Sequence, residues 1–476
     1  MRLMRPLQLS KIVALCAFAG VVAIVTVVLA DSGFLPNLFP FPDPSGILKT
    51  FNTSGKVDLT GPFFQSLGTN GRSCATCHEP SDAWSVSATN VALRFEFTHG
   101  MDPIFRPNDG SNCDHDIDVS TVEGRRSAYS LLIKRGLIRV AVPIPDNAEF
   151  DVMSVSNPYG CNETTNLSMY RRPLPSANLR FLSTVMWDGR ESSSQTGTTP
   201  IAFATNPTDL LSDLRHQALD ATMGHAQAKT APSSDQQQQI VAFEMALSTA
   251  QDLDFLGGSL EANAANGGPR PLVDQPFFVG INDSLGQNPF KTPFNPTVFT
   301  LFNDSWAKAA SGEARARRAS IVRGQTLFNS RSIRITGVGG LNDATGQSVI
   351  KGTCTTCHDA PNVGNHSVSA PLNIGVSDPA SPLDVKYLPV ITLRNKKDQS
   401  QVIETTDPGR ALITGKWEDI GKMKGPILRG LAARAPYFHN GSADGLKEVV
   451  KFYNVRFFMG LTEVEQADLV AFLSGL

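Results

Sequence analysis

The sequence has no excess of either charge: 42 Lys and Arg stand against 44 Asp and Glu in 476 residues, a formal net charge of −2. The basic residues are scattered, so the continuous positive field that nucleic acid requires is missing, and nucleic acid is excluded as a partner. Cysteine and histidine are scarce as well, at seven and eight. That scarcity makes their grouping informative. The string C-x-x-C-H occurs twice, as Cys74, Cys77 and His78 and as Cys354, Cys357 and His358, where one chance match is expected at about two in a thousand.

Two thiols three positions apart can each add to a vinyl group of one porphyrin, and the next His then lies under the iron as its proximal ligand. Zinc sites and thioredoxin-like redox pairs share the C-x-x-C spacing. Zinc needs four ligands, whereas these two pairs lie far apart in sequence and each carries its own trailing His. The motifs therefore predict two covalently bound c-type haems.

Arg2, Arg5 and Lys11 precede an uncharged apolar run at 12–30, followed by Asp31. A positive flank before an apolar core is an export signal. The run also approaches the length that spans a bilayer, so residues 1–30 are expected as a cleaved signal peptide or as a tether to the inner membrane, with the remainder periplasmic. With four cysteines in the motifs and Cys16 in the export segment, Cys113 and Cys161 remain; an oxidising compartment favours a disulfide between them over two free thiols.

The expected organisation is an N-terminal haem domain at 31–256, a Gly/Asn/Ala/Pro-rich linker at 257–271 and a C-terminal haem domain at 272–476. Ile240, Phe243, Ala246 and Leu247 recur at helical spacing behind Ser234 and Asp235, a helix closing the first domain. The stretch from about 100 to 175 is rich in Pro, Asn, Asp and Gly, with β-favouring pieces at 137–142 and 150–155, and reads as an insertion pinned by Cys113 and Cys161. Near the C-terminus Leu446, Val449, Val450 and Tyr453 share one helical face, and Thr462 with Glu465 forms a capping box for a further helix.

Six segments, MWDGRE at 186–191, IVAFEMAL at 240–247, RGQTLFN at 323–329, APYFHNG at 435–441, LKEVVKFYN at 446–454 and LTEVEQADLVAFL at 461–473, together with the two C-x-x-C-H strings, resemble the bacterial dihaem cytochrome c peroxidases and the MauG-type dihaem enzymes. The resemblance implies a mainly α chain of two cytochrome c-like helical haem domains, with the loop- and β-rich insertion in the first. It implies a reaction-centre haem at His78, an electron-transfer haem at His358, and Trp187 between them; burial in a core is the ordinary fate of such an indole.

The family's distal Gln and Glu have their nearest counterpart in HQALDATMGHAQ at 216–227. Gln217 matches the Gln, no Glu follows, and His225 and Gln227 occupy the neighbourhood. His225 then serves as the acid–base group, ligates the iron, or is a solvated surface residue. His99 and His115 fall where some relatives carry a displaceable sixth ligand. Opposite His358 the family position falls on Tyr453, a hard anionic ligand that favours oxidised iron, with Met423 and Met459 as alternatives and plain core packing as a third reading. His439 is expected to hydrogen-bond near a haem edge. Relatives bind calcium between the domains, but Arg434 stands where a neutral residue is usual, and its charge speaks against the ion.

The expected function is an exported dihaem c-type oxidoreductase that reduces hydrogen peroxide, or uses it or another small oxidant. Electrons come from a periplasmic donor, a small cytochrome or a copper protein. The rivals are MauG-like or rubber-oxygenase-like oxidation of a protein or organic substrate, and a pure dihaem electron carrier. Whether the chain forms a homodimer is left open by the sequence.

Overall fold

The computed structural model describes residues 33–191 and 207–476; the apolar run at 12–30 and Cys16 lie outside them. Among the described residues, twelve helices and thirteen short strands alternate, the strands gathered in five small sheets, and no helix is long and apolar enough to cross a membrane. The expectation of a mainly α chain is met in part: long helices wall the interior, and small sheets stitch distant segments together. The six longest helices are α1 (Ala88–Thr98), α2 (Pro207–Gly224), α3 (Ser234–Met245), α4 (Gly312–Ser330), α5 (Leu446–Arg456) and α6 (Glu463–Ser474).

Helices α4 and α6 form the centre of the C-terminal half. Ile321, Gly324, Gln325 and Phe328 are buried at helical spacing along α4, the stripe a core-facing helix requires. At the crossing, a Cβ on Gly324 would lie 2.0 Å from the carbonyl oxygen of Asp468, so only glycine lets the two backbones meet. Arg323 clamps the Asp468 carboxylate with two nitrogens at 2.7 Å each. Phe299 packs edge to face on Phe328 and Phe472, which meet each other tilted, all within 5.7 Å, and burying each ring contributes about 1.5–3 kcal/mol. The capping box of Thr462 and Glu465 forms as the sequence predicts.

Helix α3 also forms, with two differences from its reading. Its cap is Ser233, paired in a capping box with Gln236, so Ser234 and Asp235 are its first turn. Leu247 opens a strand, Leu247–Asp254, that pairs antiparallel with Gly46–Asn52 from Asn52↔Leu247 to Gly46↔Asp254. Buried ladder pairing there overrides the helical periodicity. The stretch at 257–271 is packed: Leu260 and Ala265 join the same core cluster as Phe302 and Trp306.

The insertion carries the expected strands, Ile138–Pro143 and Phe150–Ser156, and a third at Asn166–Arg171. The first and third pair with each other. The second joins Val390–Asn395, which in turn pairs with Val402–Thr405, so the insertion shares a sheet with the C-terminal half. Cys113 and Cys161 are disulfide-bonded, as expected.

Strand Asn166–Arg171 ends on a buried ionic node. Arg171 donates to both oxygens of Asp407 at 2.7 and 2.8 Å and to Asp188 Oδ2 at 2.5 Å, with every side chain at most 3% exposed. Burial works against the Asp188 carboxylate, but Arg190 and Arg171 outweigh it and hold the group well below the usual carboxylate range. A depressed folded value means that the contribution to stability is complete above the usual Asp value, about pH 4, and is lost as pH falls through the folded value. Asp188→Asn is therefore expected to lower stability at pH 7 by about 3 kcal/mol. In denaturant titrations the gap to the unmodified protein should narrow toward acid; a gap that is absent at neutral pH, or that widens in acid, contradicts this assignment.

Candidate active site

The two C-x-x-C-H segments fold alike. Ser73 and Thr353 cap single 3-10 turns over Cys74–Thr76 and Cys354–Thr356, and the hydroxyls of Thr76 and Thr356 each accept from the cap N–H at 3.0 Å. The turn continues into the His, whose N–H donates to the first cysteine's carbonyl at 3.1 Å in both copies. All four motif cysteines are unbridged. Burial pushes Cys74, Cys354 and Cys357 up to about 12, and Cys77 upward too, the opposite of the low values that activate redox-pair thiols. Neither motif belongs to any cluster of three or more His, Cys, Asp or Glu donors among the described residues, which a closed zinc site would require.

His78 Nδ1 lies 3.0 Å from the carbonyl oxygen of Trp84, and His358 Nδ1 lies 2.6 Å from that of Gly364. Burial brings both imidazoles down to about 4. Each ring is therefore neutral, with its proton on Nδ1 and the Nε2 lone pair left for a metal.

Each motif faces its own cavity. Both are open in part to solvent. Leu182, Val185, Leu214 and Ile240 wall the first; Phe328, Leu372, Val450 and Leu469 wall the second. Trp187 lines both cavities. Its indole N–H donates to the carbonyl of Arg172 at 2.8 Å, and its own carbonyl accepts from the N–H of Lys424 at 2.8 Å.

In the first cavity, Gln217 and His225 are among the lining residues. His225 Nδ1 lies 2.5 Å from Asp109 Oδ2, and the other Asp109 oxygen pairs with Arg72. Burial opposes ionisation of Asp109, yet His225 and Arg72 hold its carboxyl below the usual range. Gln227 departs from its reading. The backbone turns left-handed there, at φ 54°, and the side chain projects into solvent toward Asn70. His99 caps the end of α1, and His115 pairs with exposed Asp114 and Glu163; neither lines the cavity.

Sequence reasoning missed Arg72 and Asp109. Arg72 lies two residues before Cys74, a cue available in the sequence, but Asp109 sits in a Pro-Asn-Asp-Gly turn that only the long-range fold brings to His225. Glu244 was missed too, although it lies in the quoted segment at 240–247. It is buried and lines the first cavity, its Oε2 has no hydrogen-bond partner, and burial raises its carboxyl to about 8.

The second cavity holds Tyr453, Met423, Met459 and His439 together. Burial raises the Tyr453 phenol, with Cys357 and Cys354 adding to the effect, so the hydroxyl lies within electrostatic reach of both motif thiols. His439 is buried and brought down to about 4; its ring centroid is 6.1 Å from that of Trp187.

Arg172 and Lys424 are buried and Arg434 half-buried along the second cavity, the first two reaching the other cavity as well. They bond main-chain carbonyls: Arg172 those of Val86, Arg135 and Arg434, Lys424 that of Thr184, and Arg434 that of Ile427. Among the described residues none forms an ion pair with a carboxylate, and Arg434 Nε has no partner at all. Burial brings Lys424 down to about 7 and the two arginines to about 10. Buried cations at such a cost call for an anionic group at this seam. Two thiols, one free imidazole nitrogen, apolar walls and cations at one edge fit a haem carrying two carboxylates in each cavity.

No family model matches the chain. It is 29% identical over 192 residues to cytochrome-c peroxidase IdrP1 of Denitromonas iodatirespirans, covering 36% of this chain and 43% of that protein. It is 33% identical over 136 residues to cytochrome-c peroxidase IdrP2 of the same organism, covering 26% and 36%; proteins of the same two names from Pseudomonas sp. (strain SCT) match similarly. The chain thus matches less than half the length of these curated relatives. Among solved structures, a MauG-like protein associated with microbial copper homeostasis aligns over 87% of this chain and 85% of its own, at 16% identity and a TM-score of 0.36.

The raised Glu244 carboxyl yields a signed expectation. Folded Glu244 keeps its proton up to about pH 8, whereas the unfolded residue loses it near pH 4.3; the folded state then binds more protons, and stability falls as pH rises between the two. Glu244→Gln removes that penalty. Its unfolding free energy is expected to exceed that of the unmodified protein by about 3 kcal/mol at pH 7, a difference that closes by about pH 4. A variant less stable at pH 7 than at pH 4, relative to the unmodified protein, rules out a neutral buried carboxyl.

Proposed function

Starting from its likeness to the bacterial dihaem cytochrome c peroxidase and MauG family, which four curated relatives named cytochrome-c peroxidase bear out, we propose that this chain is an exported dihaem c-type oxidoreductase of peroxidase type. It acts on hydrogen peroxide or a related small oxidant and draws electrons from a small periplasmic cytochrome or copper protein. One observation carries the reading: each C-x-x-C-H turn faces its own apolar cavity with a neutral, carbonyl-anchored imidazole, and Trp187 lines both. When bound, the haems supply the redox chemistry.

The rest is the work of the chain's own residues. Cys74 and Cys77 attach one group in the N-terminal domain and Cys354 and Cys357 the other in the C-terminal domain, with His78 and His358 as proximal ligands. Arg172, Lys424 and Arg434 hold carboxylates at the seam, where their charge also opposes calcium. In the first cavity His225 moves a proton at Nε2. Asp109 holds Nδ1 and stabilises the protonated ring, and Arg72 fixes Asp109, the arrangement of a general acid–base with its orienting partner. Gln217 offers an amide to the bound oxidant. Trp187, wedged between the cavities and beside neutral His439, is the electron relay. Tyr453, which lines the same cavity as His358, would ligate the iron held there, and the preference of such a ligand for oxidised iron favours, as a second reading, MauG-like oxidation of a protein or organic substrate.

The mass of the purified protein should exceed that of the processed chain by two haems. Rapid mixing with hydrogen peroxide should change its haem absorbance within seconds, and His225→Ala should slow that change by roughly a hundredfold. An equally fast variant removes His225 from the acid–base role. Absorbance unaltered by peroxide, in both the oxidised and the half-reduced protein, makes the chain an electron carrier.

Tyr453→Phe keeps the ring and removes only the phenolic oxygen. The expected outcome is an altered spectrum of one haem and a higher reduction potential for it. If that spectrum stays unchanged while Met423→Leu or Met459→Leu alters it, the ligand is a thioether.

A further inference from the structure

We propose that Asp283, Asp359 and His366 bind one divalent first-row cation, of the Zn²⁺ or Mn²⁺ kind, in the wall behind the second cavity. The donor atoms are Asp283 Oδ1, Asp359 Oδ2 and His366 Nε2, all within 4.8 Å of one another. Nε2 lies 3.3 Å from the Asp359 oxygen and 3.8 Å from the Asp283 oxygen. Metal–ligand bonds of about 2.0–2.2 Å place neighbouring donors roughly 3.0 Å apart at right angles and about 3.4 Å apart at the tetrahedral angle. The two separations from the imidazole nitrogen fall at or just beyond that range.

All three side chains are at most 4% exposed, and none of the three donor atoms has a hydrogen-bond partner. Their other atoms are held. Asp283 Oδ2 accepts from the N–H of Gln287 at 2.7 Å, Asp359 Oδ1 accepts from the N–H of Ser367 at 2.6 Å, and His366 Nδ1 lies 3.3 Å from the carbonyl of Ala370. Outer contacts that orient ligands while leaving their inner atoms unsatisfied are the pattern of a metal site. The two segments are tied by Gly280 N–H to Ser367 O at 2.9 Å and by Asn282 Nδ2 to Asp359 O at 3.0 Å, so the donors are fixed by main chain.

Without a cation, the cluster leaves three buried polar atoms without a hydrogen-bond partner in a dry interior, at a cost of several kcal/mol. A divalent ion neutralises both carboxylates and replaces the missing partners. Two carboxylates with one imidazole and no sulfur suit Zn²⁺ or Mn²⁺ and disfavour Cu(I). Three protein donors leave a position for water, beside buried Ser367, whose hydroxyl is also unpartnered. The site shares no donor atom with either C-x-x-C-H motif and stands whatever those cavities hold.

The test uses the full holoprotein, stripped with EDTA and titrated separately with ZnCl₂ and MnCl₂, with binding followed by calorimetry and by elemental analysis for zinc and manganese so that haem iron does not interfere. About one equivalent of one ion should bind, Tm should rise with it, and EDTA should reverse the rise. Asp283→Asn and His366→Gln should each weaken binding beyond the ~10–100-fold typical of outer contacts while the haem absorbance is retained. If neither variant folds, the reversible Tm response of the unmodified protein decides. Less than about a tenth of an equivalent with no Tm response, or binding that survives both substitutions, overturns the proposal.

Discussion

Arg171 is the group on which the arrangement of both cavities depends. A guanidinium without access to water is tolerable only if its charge is met by well-oriented carboxylates, and Asp188 and Asp407 meet it from two other parts of the chain. Three segments are thereby held in one register: the strand ending at Arg171, the W-D-G-R segment 17 residues on, and the distant turn after the shared sheet, 236 residues on. Neighbouring contacts extend the lock. Arg172 N–H donates to the carbonyl of His439, the Arg172 carbonyl takes the Trp187 indole proton, and Arg410 donates to the carbonyls of Asp188 and Gly189. The place of Trp187 between the cavities is thus a consequence of where a buried charge finds its partners.

The two cavities are alike in how they present their motifs and unlike in what faces those motifs. The first carries an imidazole backed by a carboxylate and a guanidinium, with a neutral carboxylic acid at Glu244 nearby. Such groups exchange protons. The second carries a phenol and two thioethers, which offer an iron ligands and exchange no protons near neutral pH.

What was legible in the sequence were the features whose chemistry is local. The C-x-x-C-H strings, the Thr462 capping box, the helical stripe ending at Tyr453 and the insertion strands need only short spacings, and each is found in the fold. The Cys113–Cys161 bond followed from counting thiols. What stayed hidden depends on long-range closure. The partnership of Asp109 with His225 spans 116 positions, and nothing in a Pro-Asn-Asp-Gly turn says that its Asp will be buried against an imidazole. Gln227 failed for a local reason: one left-handed residue after α2 turned outward a side chain that a continuing helix would have kept near its neighbours. Leu247 failed because sheet pairing with Gly46–Asn52 outweighed a periodicity that, over eight residues, cannot separate buried helix from buried strand.

Buried charge without a counter-charge occurs in two opposite forms in this protein. Arg172, Lys424 and Arg434 sit at the seam of the cavities with main-chain carbonyls for company, while Asp283 and Asp359 turn unsatisfied oxygens toward a single imidazole. If internal pairing were their purpose, opposite charges in one half of the molecule would be brought together, as Arg171 is with Asp188 and Asp407, or Arg323 with Asp468. They are instead pinned apart by backbone bonds that cannot adjust without breaking the turn after His358 or the loop before α5. Held separately, each set stays costly until something of opposite sign and matching size is bound. The fold therefore carries cations without carboxylate partners at the seam of the cavities and a cluster of unpartnered carboxylate and imidazole atoms that includes Asp359, the residue directly after His358.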